Sequence, residues 1–336
     1  MGVADDEGMA ETGVMMVDLV YLWCNLEDPP FRARRDAYIA EHGGMASDRD
    51  GMEAVRFRQH DELKYALRGA AKHLPWLNRI FIVMSDEQTP PPWLDVAHGK
   101  ICLVRHSEFV PHEFLPTWNS VVPEFSLFRI PGLSERFLYS NDDWMIVRDL
   151  APDFFFSRKG FPIVRYRGAY PTNGGGPYTR SLMAADRLIL DRMGVKTSAF
   201  GHFPHHNVEP YLKSDCAAFL DRFMDDLRPT LSSRFRSEGQ VEHTVLSLYA
   251  LALGHAVYRQ RATRGANTLS KFLPRWCYRV DSHFAELGRD DFEESFKRLR
   301  PSLFCLNDKA GATESDYRKM GAFYEHLFPE KAAWEK

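Results

Sequence analysis

The chain reads as an α/β protein: a mixed or mostly parallel sheet flanked by helices. Three observations predict this. Short apolar runs rich in β-branched and aromatic residues recur along the first half of the 336 residues, as buried strands do. Segments with helical spacing of apolar residues alternate with them, the pattern of a doubly wound sheet. Polar knots rich in Asp, Asn, His and Arg fall just after the apolar runs, where open α/β sheets place their ligands.

Composition narrows the class further. Hydrophobic residues make up 44% and charged residues 26% of the chain, as in globular proteins. A formal net charge of −3 gives no basic surplus for nucleic acid. The five cysteines are scattered and without CxxC spacing, which fits free thiols in a reducing compartment and predicts a cytoplasmic protein. No apolar run approaches the roughly 18 to 20 residues of a membrane span, so membrane contact is expected to be peripheral at most, at the inner face.

Residues 1–14 are acidic and read as a loose tail. Residues 15–330 read as one domain: a sheet core over 15–200, a helical segment over 201–260, and a return to the core over 261–330. Met15–Trp23 is the first buried strand, and Asn25 and Asp28 stand in the loop after it. Asp28 followed by proline is equally the start of a turn and helix, and Phe31–Glu41 is helix-like. Gly43–Asp50 reads as a loop. Asp61 is placed to cap a helix whose apolar stripe runs from Leu63 to Leu74. Arg56, Arg58 and His60 precede that helix start, a position favourable to phosphate.

Arg79–Met84 and Lys100–Val104 are two further strands, and Thr117–Arg129 is a helix with Asn119 near its start and Arg129 at its end. The stretch Arg136–Leu150 holds the densest signal. The run Phe137–Tyr139 is interrupted by Ser140-Asn141-Asp142-Asp143, then resumes as Trp144–Val147. Adjacent carboxylates at the end of a strand suit a hard divalent cation, which keeps several waters and takes one or two carboxylates plus substrate phosphates. The same tetrapeptide is ordinary hairpin-turn chemistry.

Phe161–Tyr166 is another strand. The glycines of Thr172–Pro177 form either an anion-binding nest or a plain loop, and a helix through Leu182 and Ile189 stops at Gly194. A second knot, His202-Phe203-Pro204-His205-His206, offers imidazoles for proton transfer. A three-histidine metal site is disfavoured by the absence of helical His spacing. Cys216–Leu227 and Val241–Leu253 are helical, separated by a segment carrying Arg234 and Arg236, whose guanidinium groups suit phosphate oxygens. Phe272–Val280 is read as a return to the sheet, Pro301–Leu306 as a strand ending in Asn307-Asp308, and Ser315–Leu327 as the last helix. No Gly-x-Gly-x-x-Gly or Walker loop occurs.

Four blocks in order, Val17–Pro29, Arg56–Trp144, His202–His206 with Arg234–Glu238, and Phe304–Asp308, resemble the four conserved regions of the Stealth family of sugar-1-phosphate transferases. The chain departs from that pattern at Cys24-Asn25-Leu26, where the family often has a Val-Asp-Gly or Val-Asn-Gly loop, and at His206, where a second proline is common. The resemblance implies a Rossmann-like, GT-A-related core. It also implies transfer of a sugar-1-phosphate from a UDP-sugar to a glycan hydroxyl, with loss of UMP, in capsular or exopolysaccharide synthesis. Mg²⁺ or Mn²⁺ is the implied cofactor.

By position in those motifs, Asp142 and Asp143 serve the metal or activate the acceptor hydroxyl, and Asp308 joins them at the metal. His202 is the expected general acid/base and Arg236 the phosphate-stabilising group, with Arg234 as understudy. Asn25, Asp28, Asn119, Arg129, His205 and Asn307 are the expected substrate contacts. The competing readings are a GT-A glycosyltransferase, which would release UDP, and a binding protein without turnover.

Overall fold

The computed structural model describes residues 15–42, 59–171, 173–260, 280–309 and 311–336. The expectations for the N-terminal tail, for Gly43–Asp50, for Arg56 and Arg58, and for most of Phe272–Val280 lie outside the described residues.

The core is a five-stranded sheet in the order β3-β2-β1-β4-β8. Its strands are β1 (Val17–Leu22), β2 (Ile80–Met84), β3 (Ile101–Arg105), β4 (Arg136–Asn141) and β8 (Glu209–Leu212). The first four are parallel, and β8 closes the edge antiparallel to β4. Every residue of β1 and β2 is buried, which explains why they read as unbroken apolar runs rather than alternating ones. Asp18 is the exception in β1. It is fully buried, and its carboxylate accepts hydrogen bonds from Asn78 Nδ2 (2.8 Å), Arg79 N (3.0 Å) and Ser134 N (2.7 Å), which ties together the loops that enter β2 and β4.

Helices α1 (Pro29–Glu41), α2 (Glu62–His73) and α3 (Val121–Ser126) belong to this half of the chain. The helix expected over Thr117–Arg129 is shorter, and it ends in a 3₁₀ turn, Leu127–Arg129. Asp61 stands at the head of α2 but does not cap it with its side chain, because its backbone takes the left-handed conformation (φ 65°). The carboxylate instead lies 3.2 Å from Lys64 Nζ.

Two three-stranded sheets flank the core. One has the order β10-β11-β5 and is built from β5 (Trp144–Ile146), β10 (Ser282–Glu286) and β11 (Leu303–Asn307). The other has the order β7-β6-β9, from β6 (Ile163–Ala169), β7 (His202–Pro204) and β9 (Val257–Gln260). The segment 201–260 is therefore not purely helical. It carries three strands beside α5 (Lys213–Leu231) and α6 (Val245–Leu253). Between β6 and β7 lies α4 (Pro177–Met193), and the chain ends with α7 (Phe292–Leu299) and α8 (Glu314–Leu327). The α8 start carries a full capping box, Thr313 with Asp316. No helix among the described residues is long and apolar enough to cross a membrane.

Candidate active site

The turn Asp142-Asp143 is not a hairpin. Its entering strand β4 pairs with β1 and β8, whereas the strand that leaves, β5, pairs with β11 of another sheet. The two carboxylates therefore stand where the chain crosses between two sheets, at the carboxyl end of β4. Because β5 runs antiparallel to β11, with Trp144 opposite Cys305, the end of β11 returns to the same place and brings Asn307 and Asp308 with it.

A cleft of about 800 Å³ opens there. It is lined by Asp142, Asp143, Asn307 and Asp308 and by Arg236, Arg167 and His206, with a ring nitrogen of His206 within 4.8 Å of an Asp143 oxygen. Residues at the carboxyl ends of β1 to β3 (Trp23, Ser85 and His106) extend it across the core sheet, as the geometry of open α/β sheets anticipates.

Electrostatics single out the acidic wall. Burial pushes Asp142 up to about 6, and burial together with the Asp142 charge pushes Asp143 up to about 7. Glu62, at the head of α2, is pushed up to about 8 by burial and by Asp142. Three crowded carboxyl groups, each resisting its own charge, form a site that a cation would relieve. Asp142 Oδ2 accepts a 2.7 Å hydrogen bond from Gln59 Nε2, which also donates to the Cys24 carbonyl at 2.8 Å. Asp308 Oδ1 accepts from Tyr317 Oη at 2.9 Å.

Asp143, His206 and Cys305 also bring ligand-type atoms within 4.8 Å of one another. The Cys305 thiol, however, donates to Asp143 Oδ2 at 3.3 Å, and burial and the nearby carboxylates hold it protonated, well above the usual thiol range. It thus orients Asp143 as a neutral donor. Asp142, Asp143 and Asp308 line the same cleft, and carboxylate oxygens are the hard donor type that Mg²⁺ or Mn²⁺ takes.

The arginines and His206 are held by equally specific contacts. Arg236 donates to Ser120 Oγ at 2.6 Å, and Arg167 packs over the Phe203 ring. His206 sits edge-on to Trp144 and Phe284. Burial, with Arg167, His243 and Arg236 nearby, pushes its imidazole down to about 3, so it is uncharged at neutral pH.

The structure thus gathers Asp142, Asp143, Arg236, Asn119, Asn307 and Asp308 on one cleft. Asn119 works through its neighbours. Its Nδ2 donates to Gln240 Oε1 (3.1 Å) and the Ser233 carbonyl (3.3 Å), which fastens the arginine-bearing loop to the start of α3.

The other expected residues stand elsewhere. His202 does not line the cleft. It lies opposite Ala169 in the β6–β7 pair, with its Nδ1 3.0 Å from the Phe200 carbonyl. Two residues further along, the strand delivers Pro204 and then His206 to the cleft wall. His205 is buried away from the cleft, in a small cavity against β6 and β8. Asp28 is structural, since one oxygen caps α1 through Phe31 N (3.4 Å) and the other accepts from Thr89 N at 2.7 Å. Asn25 closes the turn onto Glu27 N. Arg129 is exposed over the Phe128 ring, and Arg234 reaches the Glu113 carbonyl at 3.1 Å.

Gln59, Glu62, Arg167, Lys309 and Glu242 line the cleft without having been singled out from sequence. Of these only Gln59 carried a signal, because it stands beside His60 just ahead of a helix start.

The chain is similar to several known proteins. Residues 56–164, which end within β6 and include both aspartates, match the Stealth protein CR2, conserved region 2. The exopolysaccharide phosphotransferase CpsY of Mycobacterium tuberculosis is 35% identical over 96% of this chain and 58% of its own length. The capsular polysaccharide phosphotransferase fcs1 of Haemophilus influenzae is 29% identical over 93% of this chain and 83% of its own. The chain therefore spans about three fifths of CpsY and most of fcs1. The solved galactosyltransferase LgtC aligns over 94% of this chain and 96% of its own, at 10% identity and a TM-score of 0.43. The chain thus carries a match to conserved region 2 of the Stealth proteins that spans both aspartates, and it is similar over almost its whole length to exopolysaccharide and capsular polysaccharide phosphotransferases.

Proposed function

We propose that the cleft transfers a sugar-1-phosphate from a UDP-activated sugar to a glycan hydroxyl, forming a phosphodiester and releasing UMP, in capsular or exopolysaccharide synthesis on the cytoplasmic side of the membrane. One observation carries this reading: the carboxylates of Asp142, Asp143 and Asp308 and the guanidinium groups of Arg236 and Arg167 line a single cleft. Phosphoryl transfer depends mainly on positioning and on neutralising spread negative charge, and carboxylates that can take a cation, together with guanidinium groups in one cleft, suit both.

Asp142, Asp143 and Asp308 would hold Mg²⁺ or Mn²⁺, which when bound neutralises charge on the diphosphate. Arg236, anchored to Ser120, and Arg167 bind the phosphate oxygens. Asp143 takes the proton of the attacking hydroxyl. His206 occupies the place that the sequence assigns to His202, and as an uncharged imidazole beside Asp143 it orients that carboxylate.

Incubation with a UDP-N-acetylhexosamine, Mg²⁺ and a glycan acceptor, followed by phosphorus NMR, tests the proposal. UMP and a new phosphodiester resonance are expected. Release of UDP with a phosphorus-free product would replace the proposal with glycosyl transfer.

A further inference from the structure

Beside the phosphate-facing arginine lies a buried ionic cluster that the proposed chemistry does not use. His243 stands just ahead of α6 and is buried. Its Nδ1 lies 2.8 Å from Glu124 Oε2 and 3.1 Å from Glu242 Oε1, and its Nε2 lies 3.2 Å from Glu209 Oε2. The carboxylates come from α3, from the first residue of β8 and from the loop before α6.

A neutral imidazole has one donor nitrogen and one acceptor nitrogen, whereas an imidazolium donates from both. Carboxylates at both nitrogens therefore require the charged form. Burial opposes that charge, but Glu124 and Glu209 overcome it and hold His243 protonated well above the usual range.

The cluster connects both to the Asp142 turn and to Arg236. Glu124 Oε1 accepts from Tyr139 Oη at 2.9 Å, and the same hydroxyl is 2.8 Å from Asn141 Oδ1, next to Asp142. Glu242 lines the cleft together with Arg236, and the charges of Glu242 and Glu124 favour the Arg236 cation. The balance is three carboxylates against two cations, His243 and Arg236. Without the imidazolium, Arg236, which already feels the charges of Glu242 and Glu124, would be drawn toward the carboxylates and away from the cleft.

We propose that His243 is a positioning residue: its imidazolium occupies the carboxylates of Glu124, Glu209 and Glu242, so that the Arg236 guanidinium stays directed at the donor's diphosphate. This rests on the reading of Arg236 as a phosphate-binding group. The test is a double-mutant cycle on the full chain, with UDP and inorganic pyrophosphate as probes in calorimetry with Mg²⁺ present. His243→Gln is expected to weaken both by about tenfold. The charge-balanced pair His243→Gln with Glu124→Gln is expected to return to within about threefold of wild type, and in an Arg236→Ala background His243→Gln is expected to add nothing. A general structural role would give neither the rescue nor the lost additivity.

Wild-type affinity in His243→Gln, failure of the charge-balanced pair to recover, or full additivity with Arg236→Ala would each overturn the inference. If His243→Gln does not fold, Glu124→Gln alone decides: tighter UDP binding is expected, and unchanged or weaker binding overturns it. A wild-type protein that binds neither probe overturns the functional reading together with this inference, whereas wild-type binding that His243→Gln leaves unaltered overturns this inference alone.

Discussion

Gln59 and Asp142 are 83 residues apart in the chain, yet Gln59 Nε2 donates to Asp142 Oδ2 at 2.7 Å. The amide is itself fixed, since its Oε1 accepts from Trp23 Nε1 at 3.0 Å and its Nε2 also donates to the Cys24 carbonyl. The loop ahead of α2 therefore holds Asp142 in place against the end of β1. Groups that orient a metal-binding carboxylate typically contribute about 10- to 100-fold in metal affinity. Gln59→Ala should weaken Mg²⁺ binding by roughly the lower of these factors, read by calorimetric titration of Mg²⁺ with donor present. An unchanged Mg²⁺ affinity would remove Asp142 from the cation site.

The carboxyl pair makes a pH prediction. Both aspartates are pushed up, to about 6 and about 7, from an unfolded value near 3.9. The folded chain keeps protons that the unfolded chain has released, so these groups favour folding most below about pH 4. That contribution is lost as pH rises through 6 and 7. In chelator, wild-type Tm should fall between pH 5 and pH 8, and Asp142→Asn with Asp143→Asn should flatten the fall while abolishing UMP release. Parallel melting curves would contradict this.

Arg236→Lys keeps the charge but loses the planar fork that grips two phosphate oxygens. Losing one charge-assisted hydrogen bond costs about 1.5–3 kcal/mol, so kcat/KM for the donor should drop by about 10- to 100-fold. Arg129→Lys, at an exposed position over Phe128, should leave steady-state rates within error. Equal effects of the two would mean that Arg236 is not at the phosphates.

The two histidines of the His-Phe-Pro-His-His knot should separate cleanly. His206→Ala removes the imidazole beside Asp143 and should lower kcat about tenfold or more. His202→Ala loses only a contact at the Phe200 turn and should keep nearly full kcat. The reverse ranking in UMP-release assays would restore the sequence assignment.

Asp28→Ala should act on stability rather than on chemistry. It removes the α1 cap, worth about 1 kcal/mol, together with the bond from Thr89. The denaturation midpoint in urea should fall while the donor KM stays put, and a raised KM at unchanged stability would return Asp28 to the substrate.

Much of this was legible in one dimension. The buried parallel strands announced themselves because side chains packed on both faces leave an uninterrupted apolar run. The Asp142-Asp143 pair stood out because nothing else breaks two apolar runs so abruptly with adjacent carboxylates. Arg236, Asn307 and Asp308 were found through the family blocks, whose order along the chain is a local property. Arg167, Glu242 and His243 lay in ordinary strand and loop sequence and gave no such signal.

The sequence by itself determined the α/β alternation, the aspartate turn and the resemblance to the Stealth proteins. Only the tertiary structure decided that this turn joins two sheets rather than closing a hairpin, that His206 and not His202 reaches the cleft, and that Asp28 is spent on a helix cap. The reason is physical. Strand and helix periods are set by neighbours a few residues away, whereas the residues that share a cleft are set by strand order and register. Here β5 leaves the core sheet to pair with β11, which carries Asn307 and Asp308 back, 162 residues after Asp143 at Cys305, to the carboxylates they face.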